Sequence, residues 1–201
     1  FTAPYELVKT MRASIYVLGP LTAKYKKAKV SLPGGCAIGA RPIDLHIKGI
    51  QKLGARIELK HGYVSASAKK LKGANISFDK VSLGATVNIL LASVLAEGVT
   101  TIENASKEPE VIDCINFLIA MGAKIKGSGT ASLEITGVKK LSAVKGYSVI
   151  PDRIEAATFI AAAVITKGRV TVTGLNTGHL SVFLEKLGET GVKITSGKNK
   201  V

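Results

Sequence analysis

A thiol, a guanidinium and a carboxylate fall close together in the stretch Ser31-Leu-Pro-Gly-Gly-Cys36-Ala-Ile-Gly-Ala-Arg41-Pro42-Ile43-Asp44-Leu45-His46. The grouping suits chemistry on an anionic substrate. A free thiol has a pKa of ~8.5 and can donate a proton, while nearby positive charge moves it toward the nucleophilic thiolate. An arginine grips phosphate or carboxylate oxygens with a planar fork that lysine lacks. Pro33, Gly34, Gly35 and Gly39 interrupt any regular element, so Cys36 is expected on a loop of the kind that closes over a substrate.

A second stretch, Asp79-Lys80-Val81-Ser82-Leu83-Gly84-Ala-Thr86, precedes an apolar run and places backbone amides at the start of a helix, where they face an anion with Lys80 adding charge. A plain helix cap by Ser82 gives the same pattern. Asp152, Arg153 and Glu155 read as a helix cap with ion pairs, a structural role. Cys114 lies among Val111, Ile112, Ile115, Leu118 and Ile119, spaced as a buried helical face, and is expected to be structural. Two cysteines in such different settings form no disulfide framework and favour a reducing cytoplasm. His46, His61 and His179 lack metal-ligand spacing with each other or with the cysteines, so no metal is expected.

The elements that must position these groups repeat. Leu53-Gly54-Ala-Arg-Ile57 recurs as Met121-Gly122-Ala-Lys-Ile125 and Thr190-Gly191-Val-Lys-Ile194, and Ala96-Glu-Gly98 is echoed by Thr166-Lys-Gly168, with a period of about seventy residues. Within a unit, residues 48–53 read as a helix, 55–59 as a strand, 86–97 as an apolar helix and 99–103 as a strand. Gly54, Gly98, Gly122, Gly168 and Gly191 are expected as left-handed helix caps. An apolar helix in each unit requires neighbouring copies to share a core.

Hydrophobic residues make up 46% of the 201, enough for a substantial core. The longest apolar runs, 89–96 and 159–165, fall well short of the ~20 residues of a membrane span. Residues 1–14 lack the pattern of a signal peptide, and a chain opening on Phe1 reads as internal to a longer protein. The net charge of +14 could serve a nucleic acid, but the sequence has no tryptophan and, apart from Tyr25 between Lys24 and Lys26, no aromatics alternating with its basic clusters, so no nucleic-acid partner is expected.

The cysteine stretch resembles the catalytic loop of the UDP-N-acetylglucosamine enolpyruvyl transferases, and the resemblance continues through Lys9-Thr-Met-Arg12-Ala-Ser, residues 79–86, Glu108-Pro-Glu110 and Pro151-Asp152-Arg153-Ile-Glu155. It implies an α/β fold, an inside-out αβ barrel built from βαβαββ units, three to a domain, with the site between two domains. By that layout residues 1–150 belong to one domain, and 151–201 form the crossover and the start of the other. The remainder of the polypeptide would be missing, including a lysine-asparagine motif. The implied reaction moves enolpyruvyl from phosphoenolpyruvate to UDP-N-acetylglucosamine, the first committed step of peptidoglycan synthesis, without a cofactor. Cys36 would be the proton donor and the site of a covalent adduct, and the thiol attacked by the epoxide fosfomycin. Arg41 would lie near the reacting phosphate, Arg12 would touch the sugar nucleotide, Pro42, Ile43, Asp44 and Leu45 would hold the uridine, and Lys80, Val81, Ser82, Leu83 and Gly84 the diphosphate. A shikimate-pathway enolpyruvyl transferase and an RNA-binding or RNA 3′-phosphate cyclase-like module are the rival readings on the same repeat.

Overall fold

The computed structural model describes residues 1–32 and 42–201, which divide into two units, Phe1–Tyr147 and Ser148–Val201. The first unit runs β1 (Thr2–Ala3), α1 (Tyr5–Val8), a 3-10 helix (Arg12–Val17), α2 (Leu18–Tyr25), β2 (Lys27–Ser31), α3 (Asp44–Lys52), β3 (Arg56–Lys60), β4 (Tyr63–Ser67), β5 (Asn75–Ser77), α4 (Leu83–Ser93), β6 (Val99–Glu103), α5 (Pro109–Ala120), β7 (Lys124–Lys126) and β8 (Ser132–Thr136). The second carries α6 (Arg153–Ile165), a 3-10 helix (Thr177–Leu180) and α7 (Ser181–Gly188).

Two four-stranded sheets, ordered β1-β2-β4-β3 and β5-β6-β8-β7, share one topology: a parallel pair first, then antiparallel partners. Each is a βαβαββ unit, as the sequence repeat implies. Alternation decides which face each strand buries: Ala28 and Val30 of β2 are in the core while Lys27 and Lys29 face solvent, and Thr100 and Ile102 do the same for β6. In the first unit each sheet therefore turns one face to solvent and the other to the helices. The centre is α4, whose residues Ala85, Thr86, Asn88, Ile89, Leu90, Ala92 and Ser93 are all buried, as befits a helix apolar on every side. Glycines let its neighbours come close: a Cβ on Gly19 of α2 would sit 2.3 Å from the Asn88 carbonyl oxygen, and one on Gly49 of α3 would sit 2.4 Å from Ile89 Cδ1.

Several expectations are corrected. The apolar helix begins at Leu83 and ends at Ser93, because Ser82 caps it upstream of the apolar run and the chain has left the helix before Gly98. Gly168 does not take the left-handed conformation. Lys167 does (φ 53°), one residue earlier, with Lys167 N donating to Val164 O and Gly168 N to Ala163 O. Ile119 of α5 is exposed and Ile112 half-buried, so the buried stripe is narrower, formed by Val111, Ile115 and Leu118. The strand that the third copy of the repeat implies after Gly191, by analogy with 55–59, is not formed: the chain turns at residues 197–200, and Val172 exchanges backbone hydrogen bonds with Val201 instead, leaving 192–195 without a ladder among the described residues. Finally, the fold adds to the sequence neighbours Lys24 and Tyr25 two pairs from distant positions, with Lys27 Nζ 4.2 Å from the Phe1 ring centroid and Lys29 Nζ 4.7 Å from that of Tyr63. These rings are each covered on one side by the chain's own lysine.

Candidate functional site

Three segments separate in sequence are carried to one place by the packing of helices around α4. Arg12 opens the first 3-10 helix, residues 42–45 lead into α3 with Asp44 as its first residue, and residues 80–84 lead into α4. Ser82 is the N-cap: its backbone is extended and its hydroxyl accepts from Ala85 N at 3.3 Å. Thr86 Oγ1 donates to Ser82 O at 2.8 Å and accepts from Ser106 N at 3.0 Å, tying the turn to the chain before α5. The amides of Leu83 and Gly84 have no acceptor within a helix that starts here, and they lie at its positive end.

Beneath this turn the helices are joined by Asn88, which is fully buried. Its Oδ1 accepts from Gly19 N at 2.7 Å, and its Nδ2 donates to Ile15 O at 3.0 Å and to His46 Nδ1 at 2.9 Å. The Gly19 amide fixes which end of the carboxamide is oxygen. An amide nitrogen only donates, so His46 Nδ1 accepts and the proton of the neutral ring is on Nε2. The His46 ring stacks on Tyr16, with centroids 6.2 Å apart and planes 20° apart. A Cβ at Gly84 would meet Tyr16 Cε1 at 3.0 Å and His46 Nε2 at 3.1 Å, so the first turn of α4 rests on these two rings.

Burial, followed by the Arg12 charge, lowers the His46 pKa to about 4, against a smaller opposing pull from Asp44. Burial raises the Tyr16 pKa, with Arg12 opposing and Glu108 reinforcing the shift. Both rings are thus neutral at pH 7 beside a cation. Arg12 Nη2 reaches Pro42 O at 3.5 Å, the outer limit of a hydrogen bond. Lys48 lies 4.0 Å from Asp44 and 3.9 Å from Asp79, linking the start of α3 to the segment before α4 through exposed ion pairs of small energetic value.

Arg12, Asp44, Ser82 and Gly84 are therefore brought together. Pro42, Asp44, Lys80 and Val81 are exposed, Ile43 and Leu83 half-buried, and Leu45 is turned into the core at 6% exposure, which leaves only its backbone for a ligand. Cys36 and Arg41 lie outside the described residues. Tyr16, His46, Asn88 and Lys48 join the site without a motif that marks them in the sequence. The available signal was Asn88, the one amide in the apolar run Thr86-Val-Asn88-Ile-Leu-Leu-Ala92, since a polar group in a buried helix must have partners. Cys114 has its pKa raised to about 11, chiefly by burial. Asp152 caps α6 by accepting from Ile154 N and Glu155 N. A cavity of about 630 Å³ in the second unit, between α6 and the extended segments 168–172 and 192–197, contains no candidate residue. Among the described residues no cluster of three His, Cys, Asp or Glu could hold a metal, and no helix is long and apolar enough to cross a membrane.

The family model for EPSP synthase (3-phosphoshikimate 1-carboxyvinyltransferase) matches residues 1–201. UDP-N-acetylglucosamine 1-carboxyvinyltransferase 1 of Caldanaerobacter subterraneus subsp. tengcongensis is 58% identical over 98% of this chain and 47% of its own length. The UDP-N-acetylglucosamine 1-carboxyvinyltransferase of Shewanella amazonensis is 56% identical over 98% of this chain and 47% of its own. The chain spans about half the length of the curated relatives it matches. The enolpyruvyl transferase NikO from Streptomyces tendae superposes with a TM-score of 0.80 over 98% of this chain and 48% of that one, at 23% identity. EPSP synthase from Acinetobacter baumannii gives 0.65 over 95% of this chain and 45% of its own, at 22% identity. These two likenesses show the fold alone.

Proposed function

From the premise that the chain belongs to the EPSP synthase family, we propose that it is part of an enolpyruvyl transferase that uses phosphoenolpyruvate and UDP-N-acetylglucosamine, acting in the cytoplasm on the route to peptidoglycan. The observation that carries the choice of acceptor is the 56–58% identity, over nearly the whole chain, to relatives named for UDP-N-acetylglucosamine. The convergence of Arg12, residues 42–45 and the first turn of α4 supports it, because a nucleoside diphosphate needs a cation, a base-holding segment and anion-facing amides side by side.

The chemistry is addition followed by elimination. A C–O bond forms between the 3-hydroxyl of the sugar and C2 of phosphoenolpyruvate while C3 takes a proton. Elimination then breaks the C2–O bond to phosphate and removes a proton from C3. Addition needs an acid at C3 and a base at the hydroxyl. Cys36 is the acid in this reading and also the group that forms a covalent adduct at C2. Arg41 neutralises the reacting phosphate, and Arg12 and the amides of Leu83 and Gly84 hold the diphosphate, with Lys80 and Ser82 at its edge. Pro42, Ile43, Asp44 and the Leu45 backbone receive the uridine. In this reading the base and the opposite wall of the site come from the remainder of the polypeptide, with residues 151–201 as the crossover and the start of the second domain.

Calorimetry on the chain tests the acceptor. Weak binding of UDP-N-acetylglucosamine without turnover is expected, since positioning by both walls can supply ~7 to 11 kcal/mol of barrier reduction and only one is present. Binding of shikimate 3-phosphate in preference to the sugar nucleotide would move the protein to the rival branch.

A further inference from the structure

Beneath the Arg12–Pro42 contact, the three segments assigned to the sugar nucleotide share a second connection. They are tied through one buried pair. Asn88 of α4 holds Ile15, which lies one turn from Arg12 on the same 3-10 helix, and His46, which follows Asp44 and Leu45 on α3. His46 is 5% exposed, and its Nε2 edge and the Tyr16 ring together fill the space that a side chain at position 84 would occupy. We propose that His46, fixed as its neutral Nε2–H tautomer by Asn88, is a positioning residue for the diphosphate of the sugar nucleotide: its ring sets the height of the Gly84 turn of α4 relative to Arg12. The proposal rests on the sugar-nucleotide reading above.

The physical case has two parts. A ring in place of a flexible side chain under Gly84 gives the turn a fixed floor, and glycine above it lets phosphate oxygens approach the backbone closely. A donor at Nε2 adds a dipole of the same sense as the helix amides. A full second charge beside Arg12 would instead repel it. The low pKa of about 4 agrees with this assignment. Asn88, with Oδ1 and both hydrogens of Nδ2 engaged, leaves the ring no other tautomer to adopt.

The test uses the full-length enzyme. Two-bond 1H–15N correlation spectra are expected to show the Nε2–H form of His46 at neutral pH, with ring resonances that shift on addition of UDP-N-acetylglucosamine and stay in place with uridine. His46→Asn keeps an acceptor where Nδ1 stood and removes the ring surface. It should raise KM for UDP-N-acetylglucosamine about tenfold while leaving kcat and KM for phosphoenolpyruvate within about twofold, the signature of lost uniform binding. Gly84→Ala, which presses a methyl group on the same ring, should raise the same KM and serves if His46→Asn does not fold. An Nδ1–H tautomer, or a wild-type KM in the variant that folds, overturns the proposal. Failure of the unmodified enzyme to bind UDP-N-acetylglucosamine overturns the parent reading as well, so the two failures are distinguishable.

Discussion

Asn88 Nδ2 lies 2.9 Å from His46 Nδ1, and this contact fixes the tautomer of a histidine at the meeting point of α3, α4 and the Arg12 helix. A buried amide that satisfies all its hydrogen-bonding groups on three different elements also specifies how those elements pack.

Acid should act on this contact. The unfolded His46 binds its proton below about pH 6.5, whereas the folded one binds it only below about 4. Between those values the unfolded state holds the extra proton, so stability falls as pH drops through this window and His46 contributes no further loss below it. The full effect is on the order of 3 kcal/mol. Urea unfolding from pH 7 to 4.5 should show a shallower decline in His46→Asn than in the unmodified protein. Parallel declines would place the acid sensitivity elsewhere.

Gly19→Ala should be far more damaging than Gly188→Ala. A Cβ at Gly19 meets the Asn88 carbonyl oxygen at 2.3 Å and Oδ1 at 2.5 Å, so α2 must move off α4, at a cost of roughly 1–3 kcal/mol or more. Gly188 has nothing within 4 Å of its Cβ position and no positive φ, and its replacement should be neutral or stabilising by about 0.4–1 kcal/mol. Chemical denaturation of the two variants measures both.

Cys114 should resist alkylation. With a pKa near 11 its thiolate is scarce at pH 8, and its half-buried position on α5 shields it. Peptide mapping after limited iodoacetamide or epoxide treatment should find Cys36 modified first. Preferential labelling of Cys114 would remove Cys36 from its assigned role.

The repeat was legible in the sequence because a left-handed cap leaves a glycine signature, and Gly54 and Gly122 occupy matching turns after α3 and α5. The third copy was less so, since Lys167 takes the left-handed position beside Gly168, and a strand at 192–195 depends on a partner that the local pattern cannot supply. At the site, Arg12, Asp44 and Ser82 could be picked out by chemical type and motif. His46 could not: its spacing speaks only to metal binding, and its environment depends on Asn88, forty-two residues away along the chain. Leu45 shows the opposite limit, because a motif can place it beside a ligand while periodicity on α3 turns its side chain into the core.

Phosphate release by the full-length enzyme is the most direct test of the central claim. With phosphoenolpyruvate and UDP-N-acetylglucosamine together, release should require both substrates, be abolished in Cys36→Ser and be partly retained in Cys36→Asp, because a carboxylic acid can deliver a proton and a serine hydroxyl is far too weak an acid. Release that follows shikimate 3-phosphate, or that continues undiminished in Cys36→Ser, would contradict it.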